Sequence, residues 1–217
     1  MTISDRTVAV IGTGNIGGTV AAGLAAGGQD FLLAGRDTDT ARKIAADLGG
    51  HAEAVSVDEA MQRADVLVLA VWFDVFQQLI AQYGPQLAGK VIIDPTNAVG
   101  PDGAGGYQKI IGAQESSGQI LARLLPPGAD LVKAFGTLSA PTLAAVARRE
   151  PDQAVLFYAA DDPAAGDVAA ELITIAGYDP VRVGGLDQSI RIEMFGDLHE
   201  YGALGRTVTK AEAREAI

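Results

Sequence analysis

Residues 7–17, with the sequence Thr7-Val-Ala-Val-Ile-Gly-Thr-Gly-Asn-Ile-Gly17, largely determine the fold that we predict for this chain. A run of β-branched and small apolar residues is followed at once by Gly12, Gly14 and Gly17, in the pattern Gly-x-Gly-x-x-Gly. In a strand–turn–helix unit the first glycine permits a tight turn, the second lets the backbone approach a pyrophosphate, and the third lets the helix pack closely on the strand. A helix that begins near Asn15 presents free N–H groups and the positive end of its dipole to phosphate. The stretch therefore predicts a dinucleotide site; the alternative, in a chain with 27 glycines, is a turn of purely structural importance.

The end of the second predicted strand indicates which dinucleotide binds. In an NAD site a carboxylate at this point accepts hydrogen bonds from the ribose hydroxyls. Here the strand ends in Ala34-Gly35-Arg36, where Gly35 leaves room and Arg36 supplies a planar cation that suits a phosphate. Asp37 follows, and we interpret it as the N-cap of the next helix. The sequence therefore predicts NADP rather than NAD.

The composition excludes several classes of function. A formal charge of −11 argues against nucleic acid and anionic membrane surfaces as partners, because both require clustered cations. The apolar runs are too short to span a membrane, and the polar start at Met1 is not a leader, so we expect a cytoplasmic protein. Without cysteine there is no disulfide, thiolate metal site or cysteine nucleophile. With only His51 and His199 as histidines, we expect no metal site.

The alternation of predicted strands and helices is typical of an α/β protein with a doubly wound, mostly parallel sheet, the Rossmann NAD(P)-binding fold. A length of 217 residues predicts one NADP-binding domain, 1–217, in which 186–217 form a short C-terminal helical segment. Apolar residues recur at helical spacing between Leu186 and Leu204, which predicts a helix that serves the core or a homodimer face. The glycine-rich stretch 99–106 is predicted to be a mobile loop, and the sequence leaves open whether it closes over a substrate.

Residues after the predicted strands four, five and six fall where ligands bind in open α/β sheets. Trp72 follows strand four, where it either walls the cofactor cleft or packs in the core. Asn97 follows strand five, and its amide suits a nicotinamide carboxamide or ribose, although Asn is also common in turns. Lys133, within strand six, is either catalytic or, as is more common, supports a loop. No acid–base pair emerges from these residues, so we assign no catalytic side chain.

Several motifs together resemble one family, the NADP oxidoreductases that depend on coenzyme F420, a deazaflavin. The motifs are Ile11-Gly-Thr-Gly-Asn-Ile-Gly17, Ala34-Gly-Arg36, Asp94-Pro-Thr-Asn97, Leu131-Val-Lys-Ala-Phe-Gly-Thr-Leu138, Asp161-Asp162, and Gly184-Gly-Leu186 with Ser189 and Glu193. They cover nearly the whole chain in the family's order. The first two are shared with many dinucleotide enzymes, whereas the motif in strand six and the Gly-Leu segment are more particular.

The resemblance implies roles for individual residues. The pyrophosphate would be held by Thr13, Gly14, Asn15 and Ile16, and the 2′-phosphate by Gly35 and Arg36. The nicotinamide end would be lined by Val71, Asn97 and Ala140. In such enzymes the deazaflavin stacks on the nicotinamide, and hydride passes directly between the rings. This reaction depends on alignment and exclusion of water more than on a side-chain acid or base.

Three hypotheses about function follow. The first is an NADP-dependent oxidoreductase whose partner is 8-hydroxy-5-deazaflavin (coenzyme F420) or a flavin-like hydride acceptor. The second is an NADPH-dependent reductase of a small carbonyl or imine, which requires a proton donor such as Lys133, Tyr107 or Asn97. The third is a non-catalytic NADP(H) sensor that contacts a partner protein. The absence of an acid–base pair favours the first and third.

Overall fold

The computed structural model describes residues 3–217, in which strands and helices alternate along the chain. The strands are β1 Val8–Ile11, β2 Phe31–Ala34, β3 Ala52–Ala54, β4 Val66–Leu69, β5 Val91–Asp94, β6 Val99–Pro101, β7 Tyr107–Lys109, β8 Asp130–Lys133, β9 Val155–Ala160 and β10 Asp179–Gly184. The helices are α1 Asn15–Ala26, α2 Thr38–Asp47, α3 Val57–Arg63, α4 Phe73–Leu87, α5 Ser117–Leu124, α6 Ala140–Val146, α7 Pro163–Ile175, α8 Ser189–Ile192 and α9 Lys210–Ala216. None of these helices combines the length and the apolar composition that crossing a lipid bilayer requires.

One large sheet organises residues 3–217, with the strand order β10-β9-β8-β5-β4-β1-β2-β3. Neighbouring strands run parallel except at β8 and β9, which are antiparallel. The predicted α/β class with a doubly wound, mostly parallel sheet is therefore confirmed. Because β1 and β4 lie side by side at the centre, the carboxyl ends of β1, β4, β5 and β8 come together along one edge.

The central strands are buried on both faces, which explains their uninterrupted apolar sequences. In β1, Val8 and Val10 point into one hydrophobic cluster, and Ala9 and Ile11 point into the other. All four residues of β1 are almost inaccessible to solvent. The sheet thus separates two cores, and the first strand contributes equally to both.

The glycine-rich stretch 99–106, which we expected to be a loop, begins with a strand. Strands β6 and β7 form an antiparallel hairpin, in which Val99 pairs with Lys109. At its tip the Asp102 carboxylate accepts hydrogen bonds from the N–H groups of Ala104 (2.7 Å) and Gly106 (2.9 Å). The glycines serve a tight turn, and pairing with a strand beyond the glycine run gives the stretch its regular structure.

The terminal segment is also less helical than its apolar spacing predicts. A 3₁₀ turn, Leu186–Gln188, and the short helix α8 are followed by turns from Glu193 onwards. The helix ends there because the Glu193 carboxylate is bonded to another helix and Phe195 has a φ of 73°. The long-range contact of Glu193 therefore ends the helix, although the apolar spacing continues beyond it. Phe195, which belongs to the apolar spacing predicted to serve the core or a dimer face, is 48% exposed and therefore does not lie in the core.

The charged tail from Thr207 onwards ends in a packed helix. Thr209 and Glu212 form a reciprocal capping box at the start of α9. The main-chain N–H of Val155 in β9 donates to the carbonyl of Val208 (2.9 Å), and Val208 and Ala213 are buried against β9 and β10. The tail therefore covers the end of the sheet formed by β9 and β10.

Two adjacent glycines of α1 provide a test of how closely this helix packs on β1. A Cβ placed on Gly17 would lie 1.9 Å from the carbonyl oxygen of Gly12, whereas a Cβ on Gly18 would meet nothing within 4 Å. We expect Gly17→Ala to lower the free energy of unfolding by about 1–3 kcal/mol through overpacking. Gly18→Ala is the matched control and should raise it by up to about 1 kcal/mol through helix propensity. Urea unfolding of both variants measures the difference, and equal effects would contradict the predicted close approach.

Candidate functional site

A cleft of about 570 Å³ lies at the carboxyl edge of the sheet, between the glycine turn, the β6–β7 hairpin and the terminal segment. Its lining residues are Gly14, Asn15, Ile16, Ala70, Val71, Trp72, Pro95, Thr96, Asn97, Val99, Tyr107, Gly136, Leu138, Ser139, Ala140, Pro141, Met194, His199 and Tyr201. This is the position at which ligands bind in doubly wound sheets.

The glycine turn, residues 12–17, forms the side of the cleft next to α1. Gly12 has a φ of +119°, and a Cβ there would lie 2.1 Å from the carbonyl oxygen of Ala70, so β1 and β4 approach closely only with glycine at this position. A Cβ on Gly14, by contrast, would meet nothing within 4 Å, and this residue faces the open cleft. Gly14 is the N-cap of α1 and supplies no side chain to cap it. The first N–H groups of α1 are therefore available to an anion.

The end of β2 carries a cation with no partner in the protein. Among residues 3–217, none forms a hydrogen bond or ion pair with the exposed Arg36. A Cβ on Gly35 would lie 2.9 Å from the side chain of Thr13, so Gly35 lets Thr13 pack across the strand end. The predicted helix cap is also present, since the carboxylate of Asp37 accepts hydrogen bonds from the Asp39 N–H (3.0 Å) and the Thr40 hydroxyl (2.7 Å). These hydrogen bonds lower the pKa of Asp37 and point its charge at α2, away from Arg36.

Trp72 is at the mouth of the cleft and not in the core. It is the N-cap of α4, and its side chain is 59% exposed. Of the two interpretations of Trp72 made from the sequence, the structure therefore matches a cleft wall. Val71, just before it, lies deeper and packs against one of the two cores.

Asn97 is a structural bridge in the cleft floor. Its side-chain N–H donates to the carbonyl of Gly136 (3.0 Å), and its side-chain oxygen accepts from the N–H of Met194 (2.6 Å). The amide thereby joins the end of β5, the turn after β8 and the terminal segment. One amide hydrogen and one oxygen lone pair remain for a ligand.

Lys133 lies behind the cleft lining, in a buried polar cluster. Its side chain is 1% exposed, and its ammonium donates to Asp94 Oδ2 (2.9 Å), to the Ser117 hydroxyl (3.0 Å) and to the Thr96 carbonyl. Asp94 in turn accepts from the main-chain N–H and the hydroxyl of Thr96. Lys133 has the supporting role that its sequence context favours, and it does not reach the cleft.

A second anchor fixes the terminal segment beside this cluster. The buried Glu193 carboxylate accepts hydrogen bonds from the N–H groups of Ser117 (2.9 Å) and Gly118 (3.0 Å), at the start of α5. The helix dipole stabilises a carboxylate at this end. Met194, the next residue, thereby reaches the cleft wall.

His199 lines the cleft, a position that no sequence pattern predicted. Its Nδ1 accepts a hydrogen bond from the N–H of Tyr201 (3.0 Å), so its proton resides on Nε2 in the neutral ring. Burial lowers its pKa to about 4, although Glu200 and a hydrogen bond to the Gly136 backbone oppose this shift. His199 is therefore neutral near pH 7 and contributes no charge to the cleft.

The cleft brings together many of the predicted site residues and leaves others beside it. Its lining includes Gly14, Asn15, Ile16, Val71, Trp72, Asn97 and Ala140. The other predicted residues lie outside it: Gly12 and Gly17 form the turn, and Thr13, Gly35 and Arg36 lie around the end of β2. Sequence reasoning missed the lining residues Ser139 and Pro141, which flank the predicted Ala140, and also His199 and Tyr201, which the terminal segment brings to the cleft through long-range contacts.

The buried His199 predicts a specific acid sensitivity. Because its pKa falls from its usual 6.5 to about 4, the unfolded chain binds more protons than the folded one between these values. Stability should decrease as the pH falls through this window, by about 3 kcal/mol from this residue alone. The free energy of unfolding of His199→Gln should depend less on pH across the window, as measured by urea unfolding. The comparison variant is His51→Gln, at a half-buried histidine whose Nδ1 lies 2.8 Å from Asp30 Oδ1. A slope in His199→Gln equal to that of the wild type would contradict the prediction.

Known proteins resemble this chain over most of its length. The sequence model of the family described as NADP oxidoreductase coenzyme F420-dependent matches residues 7–98. An F420-dependent NADP reductase from Methanothermobacter thermautotrophicus is 32% identical over 197 residues, which cover 86% of this chain and 84% of that protein.

Solved structures share the fold. The crystal structure of a hypothetical protein, SMa0349 from Sinorhizobium meliloti, is 30% identical, covers 97% of this chain and 96% of its own, and superimposes with a TM-score of 0.81. A pyrroline-5-carboxylate reductase from Coxiella burnetii is 17% identical, with a TM-score of 0.65 and coverage of 88% of this chain and 64% of its own, a likeness of fold alone. The extent and identity of the match to the Methanothermobacter reductase confirm the family and enzyme class predicted from the sequence: the chain belongs to the coenzyme F420-dependent NADP oxidoreductase family.

Proposed function

We propose that this chain transfers hydride between NADP(H) and a deazaflavin or flavin-like acceptor that stacks on the nicotinamide in the cleft. The observation that carries the proposal is the continuity of the cleft from the uncapped start of α1 to an exposed aromatic mouth. A phosphate-binding end and a ring-binding end thus belong to one cavity. The relative from Methanothermobacter, named an F420-dependent NADP reductase, supports the same pair of substrates.

The residues at the α1 end fit the phosphates of NADP. Gly14 leaves open space next to the backbone, and the N–H groups of Asn15 and Ile16 lie at the start of α1. We assign the pyrophosphate to this position, with Gly12 and Gly17 shaping the turn. We assign the 2′-phosphate to Arg36 beside Gly35 and Thr13, because its guanidinium has no competing partner in the described residues.

The nicotinamide end is assigned to the cleft floor. Val71, Asn97 and Ala140 line it from β4, β5 and the start of α6. Asn97 is held rigidly by Gly136 and Met194, so its remaining amide hydrogen has a fixed direction. Such a floor orients a planar ring without contributing a charge.

In this proposal the protein acts by alignment and exclusion of water. When bound, NADPH supplies a hydride from its nicotinamide to the acceptor ring, which takes its accompanying proton from solvent. The cleft residues hold both rings in contact, which replaces a bimolecular encounter by a fixed approach. Trp72 and Tyr107 flank the mouth and restrict water there. His199 is neutral and Lys133 is fully paired, so neither is needed as an acid.

One observation supports a second candidate function, the reduction of a small carbonyl or imine. The hydroxyl of Tyr107 has no hydrogen-bond partner among the described residues, and Tyr107 lines the cleft. It is therefore a possible proton donor, whereas the buried Lys133 and the bridging Asn97 are poor donors. The sensor hypothesis requires NADPH to bind without any turnover.

A panel of hydride acceptors separates these functions. With NADPH and the full-length protein, we expect the nicotinamide absorbance to fall on addition of 8-hydroxy-5-deazaflavin or a flavin and to stay constant with a cyclic imine. Each acceptor is also mixed with NADPH in the absence of protein as a control. Oxidation by the imine alone would contradict the proposal, and binding without turnover of any acceptor would indicate a sensor.

Substitution of Arg36 tests the cofactor assignment. We expect Arg36→Ala to weaken NADPH binding by about 1.5–3 kcal/mol, the range for hydrogen bonds to charged groups, and to leave NADH binding nearly unchanged. Isothermal titration calorimetry with both nucleotides measures this. Arg42→Ala, one turn into α2 and paired with Asp39, is the matched control. Equal losses for NADPH and NADH would show that Arg36 does not bind the 2′-phosphate.

A further inference from the structure

A second cavity lies at the opposite edge of the sheet, where β1, β2 and β3 begin. Its volume is about 530 Å³, which is within the range of small-molecule sites. Its lining residues are Ser4, Arg6, Thr7, Val8, Gly28, Gln29, Asp30, Phe31, Leu32, Gly50, His51, Ala52 and Glu53. None of them lines the cleft at the carboxyl edge, so the two cavities are separate and the proposed hydride transfer uses only one of them.

Arg6 brings a cation to this amino-edge cavity. Among residues 3–217, no group forms a hydrogen bond or ion pair with the Arg6 side chain, and its Nε is buried. A buried N–H group without an acceptor lowers the stability of the folded chain, and nearly all such groups in proteins have a partner. The hydroxyl of the next residue, Thr7, also has no partner within the described part of the chain. The guanidinium and this hydroxyl are therefore available to a ligand.

The carboxylates that line the cavity have partners other than Arg6. Asp30 Oδ1 lies 2.8 Å from His51 Nδ1. The Glu53 carboxylate accepts hydrogen bonds from both terminal nitrogens of Arg63 (2.9 and 2.8 Å), and this interaction lowers the pKa of Glu53. The charge of Arg6 is therefore not neutralised by an ion pair within the described residues.

The surroundings of Arg6 favour a ligand with one negative charge and several hydrogen-bond donors. Helices α1 and α2 both end at this edge, and the lining residues Gly28 and Gly50 follow them. The end of a helix has carbonyl groups without an intrahelical partner and the negative pole of its dipole. Together with the carboxylates of Asp30 and Glu53, these helix ends offer several acceptors and repel a second negative charge on the ligand.

We infer that the amino-edge cavity is a binding site for a sugar acid, a small molecule with one carboxylate and several hydroxyl groups. The carboxylate pairs with the Arg6 guanidinium, whose planar fork suits two parallel hydrogen bonds. The hydroxyl groups donate to the acceptors of the lining. A phosphate ester fits less well, because its second charge lies among Asp30, Glu53 and the helix ends. The site is independent of the cofactor and of the proposed function.

Four probes separate the features of this ligand. The full-length protein is isotope-labelled and saturated with NADP, which fills the cofactor site, and its amide NMR signals are followed on titration. D-glucuronate carries both features, D-glucose lacks the carboxylate, acetate lacks the hydroxyl groups, and inorganic phosphate is a small anion of higher charge. We expect glucuronate to shift the amide signals of Thr7, Asp30 and His51 with a Kd below about 10 mM, and the other three probes to bind at least about tenfold more weakly.

Each probe also defines a result that would overturn the inference. Glucose binding within about tenfold of glucuronate would show that the charge of Arg6 is not used, and the same result with acetate would show that the hydroxyl groups are not. Phosphate binding as tightly at these amides would identify a site for anions in general. Shifts at the carboxyl edge alone, or no saturable shift with glucuronate, would show that the cavity does not bind a sugar acid.

Substitution of Arg6 tests the assigned partner of the carboxylate. We expect Arg6→Gln to weaken glucuronate binding about tenfold or more, in the range for hydrogen bonds to a charged group, and to leave NADPH binding unchanged, which verifies that the variant is folded. Arg123→Gln is the matched control, at an exposed arginine in the last turn of α5 that has no partner among the described residues and does not line the cavity. Equal weakening in both variants, or none in Arg6→Gln, would overturn the inference. The comparison of the four probes on the wild-type protein tests it even if Arg6→Gln does not fold.

Discussion

The buried ion pair of Lys133 and Asp94 is the interaction on which the cleft depends. It joins the ends of β5 and β8, and the hydroxyl of Ser117 ties the start of α5 to the same ammonium. An unpaired charge at such a site costs several kcal/mol, so the three elements have to stay together. The residues just beyond the pair, Asn97 and Gly136, therefore meet in one place and form the cleft floor. Lys133 supports the site without reaching the cavity.

Contacts beside this ion pair hold the terminal segment in place as a wall of the cleft. Glu193 bonds to the start of α5, and Met194 bonds to Asn97. Further along the same segment, His199 and Tyr201 also line the cleft. Each contact joins residues that lie far apart in the chain. The terminal segment consequently completes the cleft, and the position of Tyr201 in it depends on the anchored Glu193.

These contacts also explain which features the sequence predicted. The glycine turn at Gly12, the strand β1 and the Asp37 cap depend on neighbouring residues, so their sequence patterns identify them correctly. The helical spacing between Leu186 and Leu204 predicts more helix than the structure has, because α8 ends where the Glu193 carboxylate bonds to the start of α5. The position of His199 was equally unpredictable, because its contact with Gly136 exists only after the sheet has formed. Features that depend on neighbouring residues could be predicted from the sequence, whereas contacts between distant residues at the edge of the sheet could not.

The two ends of the cleft differ in their electrostatics, and this difference has a physical reason within the proposed reaction. A chain with a net charge of −11 repels a phosphorylated cofactor at long range, so the attraction has to come from groups in direct contact, namely the start of α1 and Arg36. In the proposed reaction the accompanying proton comes from solvent, so hydride transfer between the two rings requires neither a side-chain proton donor nor a charge at the acceptor end. Charges placed there would also retain water, which the reaction has to exclude. In the proposed reaction the two ends of the cleft therefore have complementary roles: Arg36, which has no partner among the described residues, and the start of α1 bind the phosphates of the cofactor, whereas the uncharged lining accommodates the acceptor.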